Sequence, residues 1–463
     1  MKVCMVGTGY VGLVSGTCLA EMGNRVTCVD ISAENIENIR SGVLPIHEPG
    51  LEELVHMNVQ EGRLHFTTDL AEGLRDAIIC FIAVGTPQDA AGAADVSAVL
   101  KVAEDVGALI TRYTVVAVKS TVPVGTAHRV AEILGRQAKV PFAVVSNPEF
   151  LKQGAAVMDF LRPDRIVVGS EDSKALNIMR ELYEPFLRTG NPVITMDTAS
   201  AEMTKYVANA FLATKISFIN EMSRLCEAVG ADMESVRHGV TSDPRIGRLF
   251  MFPGVGYGGS CLPKDVKALI HVANERGQGL SIMEAVDRVN HEQPQFFLQK
   301  IFNHFSDPAG KIIAVWGLSF KPNTDDLRES PSLTVIPALL ERGFVVRGFD
   351  PKAGEKARNL FAGAQIVGSA YEALDGADAL VILTEWNEFR RPDFRRMKEL
   401  MREQTIFDGR NLFAPDRMAS RGFRYYCIGK ATDAYPAVWA RGRAVENYSP
   451  GVPMNQTERE ANS

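Results

Sequence analysis

A cysteine closes a glycine-rich run, Gly254-Val255-Gly256-Tyr257-Gly258-Gly259-Ser260-Cys261, and Leu262-Pro263-Lys264-Asp265 follows at once. Pro263 suits a first helical position, so Cys261 is expected at a helix N-terminus. There the helix dipole and Lys264 would lower the thiol pKa and favour the thiolate. Such a cysteine is a candidate nucleophile. Cys4, Cys18, Cys28 and Cys80 lie inside apolar strands or helices and read as small packing residues. A packing cysteine has no need of four glycines in the seven residues before it. Lys205 and Asn209 stand four apart in a helical stretch and Asn220 eleven further on, so the three project from nearly one stripe. They form either a polar strip on an otherwise buried helix, whose other faces Val207, Phe211, Leu212 and Ile219 cover, or a solvated face.

A second group of residues suits a dinucleotide. Gly7-Thr8-Gly9-Tyr10-Val11-Gly12 lies between a short apolar run and a helical pattern. There a tight turn, a close approach of pyrophosphate to backbone N–H groups and helix-to-strand packing each require a missing side chain. Asp30 ends the next strand, where a carboxylate accepts hydrogen bonds from ribose hydroxyls and repels a 2′-phosphate, which favours NAD over NADP. Three polar turns follow strands: Gly85-Thr86-Pro87, Ser120-Thr121-Val122-Pro123 and Ser146-Asn147-Pro148-Glu149-Phe150-Leu151. Ligands of doubly wound sheets bind at that edge. Further on, Gly317-Leu318-Ser319-Phe320-Lys321-Pro322 to Ser330 replaces the fingerprint with a loop carrying Lys321 and Arg328, suited to a different anion. Arg410, after Asp408-Gly409, adds a planar donor at the same edge.

These residues need two sheets and a helical spacer to hold them. Strands are expected at Lys2 to Val6, Arg25 to Asp30, Ala77 to Val84, Thr114 to Lys119, Ala143 to Ser146 and Arg165 to Gly169, with helices such as Val11 to Met22, Ser97 to Thr111 and Thr126 to Gly135 between them. That alternation predicts a parallel sheet covered on both faces. One long helix runs from Thr198 to about Gly230, with Thr198 or Ser200 as N-cap and Gly230 as C-cap, and more helix reaches about Phe305. Strands then resume at Lys311 to Trp316, Val345 to Asp350, Ala379 to Leu383, Thr405 to Asp408 and Arg424 to Ile428. The fold class is therefore α/β, two doubly wound Rossmann-like parallel-sheet domains joined by a long central helix. The expected division is 1–197, 198–305 and 306–430, with a polar, disordered tail over 431–463.

Composition sets outer bounds. A chain of 463 residues, 46% of them hydrophobic, is long enough for two or three cores that need neither disulfides nor metals. A net charge of −6 argues against nucleic acid or a membrane surface as partner, while leaving room for small anions in a local cationic pocket. The seven scattered cysteines include no CxxC pair, so no metal site is indicated and a reducing cytoplasm fits. No run of about 18 apolar residues could span a bilayer. The N-terminus enters a strand too directly for a signal peptide.

Taken together, the motifs resemble those of the nucleotide-sugar 6-dehydrogenases, over residues 1 to about 430. GxGxxG, VGTP, STVPVGT, NPEFL, the KYVANAFLA helix, GYGGSCLPKD and the SFKPNTDDLRESPS loop occur in order. The chain is most similar to the members acting on UDP-glucose, with GDP-mannose or another nucleotide sugar as the alternative substrate. The resemblance implies oxidation of a primary alcohol to a carboxylate with NAD used twice, through a Cys261 thiohemiacetal and thioester. It also implies Lys205 and Asn209 on the oxyanion, Asp265 and a water handling protons, and Thr121 and Glu149 as further catalytic residues. Cofactor contacts would come from Gly7, Gly9, Tyr10, Val11, Gly12, Asp30, Thr86, Thr121, Lys264 and Arg328. Those to UDP-glucose would come from Glu149, Phe150, Leu151, Lys205, Asn209, Tyr257, Gly258, Phe320, Lys321 and Arg410. Arg245 would reach the substrate of a neighbouring subunit, which implies a homodimer or higher homo-oligomer built on the long helix. One position departs from the family: a second glutamate is replaced by Gln153, which cannot carry an acid or base role. A one-step hydroxyacid-type dehydrogenase would explain neither Cys261 nor the second doubly wound unit, and the intact Lys205, Asn209, Cys261 and Asp265 argue against an inactive NAD-sensing module.

Overall fold

The computed structural model describes residues 1–89, 92–187 and 192–431. The first sheet is built from β1 (Lys2–Val6), β2 (Arg25–Val29), β3 (Leu64–Thr67), β4 (Ile79–Ile82), β5 (Thr114–Val118), β6 (Phe142–Ser146), β7 (Ile166–Gly169) and β8 (Val193–Met196). Their spatial order is β3-β2-β1-β4-β5-β6-β7-β8. The runs of β4, all apolar, and β5, apolar after Thr114, are buried along their whole length, as the two-sided cover of a parallel sheet demands. The second sheet holds β9 (Ile312–Trp316), β10 (Val345–Phe349), β11 (Gln365–Ile366), β12 (Ala379–Ile382), β13 (Thr405–Asp408) and β14 (Arg424–Cys427), all parallel, in the order β11-β10-β9-β12-β13-β14. Each sheet reverses its strand order beside its first strand, β1/β4 in one and β9/β12 in the other. Those are the switch points where a crevice opens for ligands.

The first sheet is not wholly parallel. β7 meets β6 antiparallel, at the single pair Ser146–Gly169, and β8 runs parallel to β7. The chain between β6 and β7 holds the short helix Ala156–Leu161, and β7 returns beside β6 in the opposite direction. That same segment carries the Asn147 to Leu151 turn, so the reversal leaves it folded over the sheet's ligand edge.

The long helix spans Thr198–Val229 and ends at Gly230, whose φ of 76° is the left-handed conformation of a helix terminus. Its N-cap is Asp197, not Thr198 or Ser200, because the Asp197 carboxylate accepts from Ser200 N at 2.8 Å. Helices Leu262–Glu275 and Ser281–His304 pack on one side of it. Lys205, Asn209 and Asn220 face that side and are buried, which decides for the buried strip. The opposite side is open. Val207 and Phe211, expected to cover buried faces, are exposed together with Phe218 and Leu225. A buried ion pair, Lys300 to Glu227 at 2.6 Å, lies beneath, and Glu227 also accepts from Gly429 N just after β14. It fastens the second sheet to the helices. Among the described residues no helix is long and apolar enough to cross a membrane. Except for Ala431, the tail over 431–463 lies outside the described residues.

Candidate active site

The carboxyl end of β1 leads into the turn before the helix Tyr10–Glu21. A Cβ on Gly12 would stand 1.9 Å from the Gly7 carbonyl oxygen, so only glycine allows the helix to start this close to the strand. Asp30, past β2, accepts from Thr8 N at 2.8 Å and Thr8 Oγ1 at 2.7 Å, which sets its carboxylate beside the turn. A cradle with no side chain at its floor and a half-buried carboxylate at its rim fits the pyrophosphate and ribose of NAD. Thr86 and Thr121, from the ends of β4 and β5, are joined by a 2.8 Å bond from Thr86 Oγ1 to Thr121 O. Gln88 Nε2 bonds the Lys264 carbonyl at 2.8 Å, tying this edge to the cysteine's helix.

Cys261 is the N-cap of Leu262–Glu275, so Pro263 stands second in the helix and not first. The loop before it approaches the second unit closely: Gly259 N bonds Arg328 O at 2.8 Å, and a Cβ on Gly258 would fall 2.0 Å from Glu329 O. The glycines are what let this loop close on its neighbour. Around Cys261 the chain gathers Glu149, Lys205, Asn209 and Asp265, all buried. Lys205 Nζ pairs with Glu149 Oε1 at 3.1 Å, and Leu151 N holds the other oxygen at 2.5 Å. Asn209 Nδ2 donates to Asp265 Oδ2 at 2.6 Å, and Lys264 Nζ meets Oδ1 at 2.6 Å.

The expected lowering of the Cys261 thiol pKa does not hold. Burial first, then the Glu149 charge, push it up; Asp265 adds to them, and Lys205 and Ser260 pull the other way without prevailing. Lys264, expected to help, is engaged by Asp265. Burial works against the Lys205 ammonium, but Glu149, Cys261 and Asp265 together raise its pKa, so it stays charged. The site therefore presents a protonated thiol, a fixed cation and two carboxylates. On deprotonation that thiol becomes a nucleophile held beside groups able to accept its proton and steady a nearby oxyanion.

From the second unit, Phe320 covers Gly259, and Lys321 lies close enough to Cys261 for the thiol's charge to bear on its pKa. Arg410 is less free than expected: it donates to the carbonyls of Leu383 at 2.7 Å and Gly256 at 3.1 Å and pairs with Glu385 at 3.3 Å, clasping the glycine loop to the second sheet. Arg328 forks onto Asp326. The Tyr257 ring packs with Ala213, Val266 and Val286, and its backbone is held by Asn290, which accepts from Tyr257 N at 2.8 Å and donates to Tyr257 O at 3.0 Å. Asn220 holds Gly254 N at 2.8 Å and so anchors the loop away from the cysteine. Arg245 is exposed and paired with Asp243, apart from this cluster. Gln153 donates to Asp326 at 3.1 Å, and its Oε1 is buried without a partner.

Three residues escaped the sequence reading. Glu48 is buried and accepts from Tyr10 OH, from Gly154 N at 2.7 Å and from Ala156 N at 2.7 Å, sewing the fingerprint to the segment after Glu149. Glu202, one turn before Lys205, accepts from Gly125 N at 2.6 Å and Ala127 N at 2.7 Å. Lys119 is buried beyond β5. The signal available for each was a charged residue in an apolar context. Among the described residues no cluster of three or more His, Cys, Asp or Glu could hold a metal ion.

Three stretches match one family, described as the UDP-glucose/GDP-mannose dehydrogenase family: its NAD binding domain over 1–187, central domain over 199–292 and UDP binding domain over 314–415. The chain is 50% identical over 442 residues to a UDP-glucose 6-dehydrogenase of Pseudomonas aeruginosa, with 93% of this chain and 98% of that one covered. It is 44% identical to UDP-glucose 6-dehydrogenase TuaD of Bacillus subtilis, over 100% of this chain and 99% of that one. Among solved structures, a UDP-glucose dehydrogenase from the archaeon Pyrobaculum islandicum superposes with a TM-score of 0.86 at 38% identity, covering 93% of this chain and 98% of that chain.

Proposed function

The chain belongs to the UDP-glucose/GDP-mannose dehydrogenase family, and we propose from that membership that it oxidises UDP-glucose to UDP-glucuronate in two successive two-electron steps. NAD, held by the turn from Gly7 to Gly12 and by Asp30, supplies the hydride acceptor for each. Lys205 and Asn209 donate to the oxygen on the reacting carbon, where negative charge develops in both oxidations. Cys261 sulfur adds to the aldehyde carbon, its proton passing to Glu149 or Asp265, and the thiohemiacetal goes on to a thioester. Water then cleaves the thioester, with Glu149 as the base. Thr86, Thr121, Lys264 and Arg328 serve the cofactor side. Phe150, Leu151, Tyr257, Gly258, Phe320, Lys321 and Arg410 serve the UDP-sugar side.

The observation that carries this reading is the cluster at Cys261: of seven free cysteines the other six are buried and it alone is partly exposed, and Glu149, Lys205 and Asp265 all act on its sulfur. The all-free cysteines also support a reducing cytoplasm as the location. The two sheets with the long helix between them support a cofactor unit over 1–197, a central helical unit over 198–305 and a UDP-sugar unit over 306–430. The exposed stripe on the long helix, Val207, Phe211, Phe218 and Leu225, supports a homodimer. The test is a count of NADH with the purified protein: two per UDP-glucose consumed, with GDP-mannose oxidised more slowly, is expected. One NADH per substrate, or faster turnover of GDP-mannose, overturns the assignment.

A further inference from the structure

Among the described residues the Cys261 sulfur has one hydrogen-bond partner, the neighbouring hydroxyl: Ser260 Oγ stands 3.6 Å from Sγ, a length that suits the large radius of sulfur. That hydroxyl in turn bonds nothing else among them. A serine at the start of a helix ordinarily gives its side chain to the free backbone N–H groups there. Ser260 does not: Cys261 takes the N-cap position, and no side chain caps Leu262–Glu275. The backbone is clamped on both sides of the pair. Gly259 N is bonded to Arg328 O at 2.8 Å with the Phe320 ring against the glycine, and Cys261 O accepts from Asp265 N at 2.8 Å in the first helical turn. Hydroxyl and sulfur are therefore held together by a fixed loop and a fixed helix end.

The other donors of the cluster are engaged elsewhere. Lys205 is paired with Glu149, while Asn209 and Lys264 both hold Asp265. In the reaction proposed above, Lys205 and Asn209 turn to the oxygen on the reacting carbon, which leaves the sulfur itself to Ser260. A hydroxyl suits both states of that sulfur, because it accepts from a thiol and, after rotating about one bond, donates to a thiolate. We propose that Ser260 is a catalytic residue of the sulfur chemistry: its hydroxyl accepts from the Cys261 thiol at rest and donates to the sulfur once the proton has gone, steadying the thiolate that attacks the aldehyde and the thiolate that leaves the thioester. This rests on the thioester role given above to Cys261. In the second event water adds to the thioester carbon as Glu149 takes its proton, the carbon–sulfur bond breaks, and its electron pair returns to sulfur. The proton on Glu149 then restores the thiol, and the acid product loses its own proton to water. The charges facing the sulfur are Glu149 from the turn after β6, Lys205 from the long helix, Asp265 from its own helix, and Lys321 and Arg328 from the second unit; Lys264 is held by Asp265. Ser260 is the neutral group among them, and it favours the ionised sulfur.

Two measurements test this, and the first needs no turnover. The rate at which iodoacetamide alkylates Cys261, followed on the labelled peptide across about pH 6 to 10, reports where the sulfur ionises. Ser260→Ala removes a donor to the thiolate, so the profile should move up by about half a pH unit or more. Ser260→Thr, which keeps the hydroxyl, should return it towards the parent. The second measurement is the intact mass of the protein in quenched single turnovers with UDP-glucose and NAD. Ser260→Ala should hold the UDP-glucuronyl thioester about five to ten times longer than the parent, and Ser260→Thr should clear it faster than the alanine variant. Ser260→Gly, also without the hydroxyl, gives the same readings if the alanine variant does not fold. An alkylation profile unmoved in these variants, or a thioester lifetime unchanged, overturns the proposal. Cys261→Ala separates the two readings. Near-normal acid formation in it removes the thioester and the proposal with it, whereas acid formation lost there, beside a parent-like profile in Ser260→Ala, overturns the role of Ser260 alone.

Discussion

At the scale of single residues, the protonated state of Cys261 in the free protein has a direct chemical consequence. Burial and the Glu149 and Asp265 charges outweigh Lys205, so iodoacetamide should alkylate Cys261 slowly near neutral pH. Glu149→Gln removes a charge that raises the thiol pKa and frees Lys205, so alkylation should speed up several-fold; Lys205→Met should slow it. Mass spectrometry of the labelled peptide reads both, and equal rates in the two variants would contradict the electrostatic account. Catalysis divides the same residues differently. Cys261→Ala should pass alcohol weakly to aldehyde and not on to acid, and Cys261→Ser should stall as an oxygen ester. Lys205→Ala should depress both oxidations by a factor on the order of a hundred or more, since each develops charge on the same oxygen. Near-normal acid formation by Cys261→Ala would make the cysteine a packing residue. The identity of this site was legible because a cysteine after four glycines and a lysine four residues before an asparagine are local patterns. The sign of the thiol shift was not, because Glu149 arrives from the end of a different strand, and a helix N-terminus beside Lys264 pointed the other way.

At the scale of elements, Glu202 joins the long helix to helix Thr126–Gln137, whose entry loop carries Thr121. Burial pushes its carboxyl up to about 7, against the two backbone N–H bonds that favour the ionised form. A carboxyl whose folded pKa lies above its unfolded one binds its proton more tightly when folded. Its stabilising contribution is therefore complete below about pH 4.5 and lost as pH rises through about 7. Over that window the parent should lose roughly 3 kcal/mol relative to Glu202→Gln, which cannot titrate. Denaturant unfolding of the two proteins at several pH values checks this; a difference between them that stays constant with pH would rule it out. Most of the scaffold could be read from the chain, because buried parallel strands are short apolar runs bounded by glycine and polar turns, and the long helix ends at a glycine. What escaped were strands carrying little apolar signal: β3, with His65 in a run of four, β8, which is only half-buried, and the two-residue β11. The reversed direction of β7 was hidden too, since strand patterns carry no direction.

At the scale of the whole molecule, the open side of the long helix raises the question of where one active site ends. Phe211 and Leu225 are more than half exposed, Leu249 and Phe252, in the segment just after Arg245, are exposed as well, and Lys215 of the helix donates to Ile246 O beside the arginine at 3.1 Å. A second copy covering that surface would carry each Arg245 towards the other subunit, where the guanidinium would leave Asp243 for an anionic substrate. Phe211→Asp should then give a monomer by sedimentation at micromolar concentration while leaving the fold intact, because the site is already open to water in the single chain. Whether Arg245 serves its own site or its partner's can be decided by mixing two inactive variants. In a dimer of Cys261→Ala with Arg245→Ala, the first subunit's site lacks its sulfur whichever way the arginine reaches. The second subunit's site keeps Cys261 and, if the arginine crosses, receives an intact one from its neighbour. After subunit exchange at equal amounts, half of the dimers are mixed and half of their sites complete, so about one quarter of the parent rate should return. An arginine serving its own chain leaves both sites of the mixed dimer defective, and no rate above the sum of the two variants would appear.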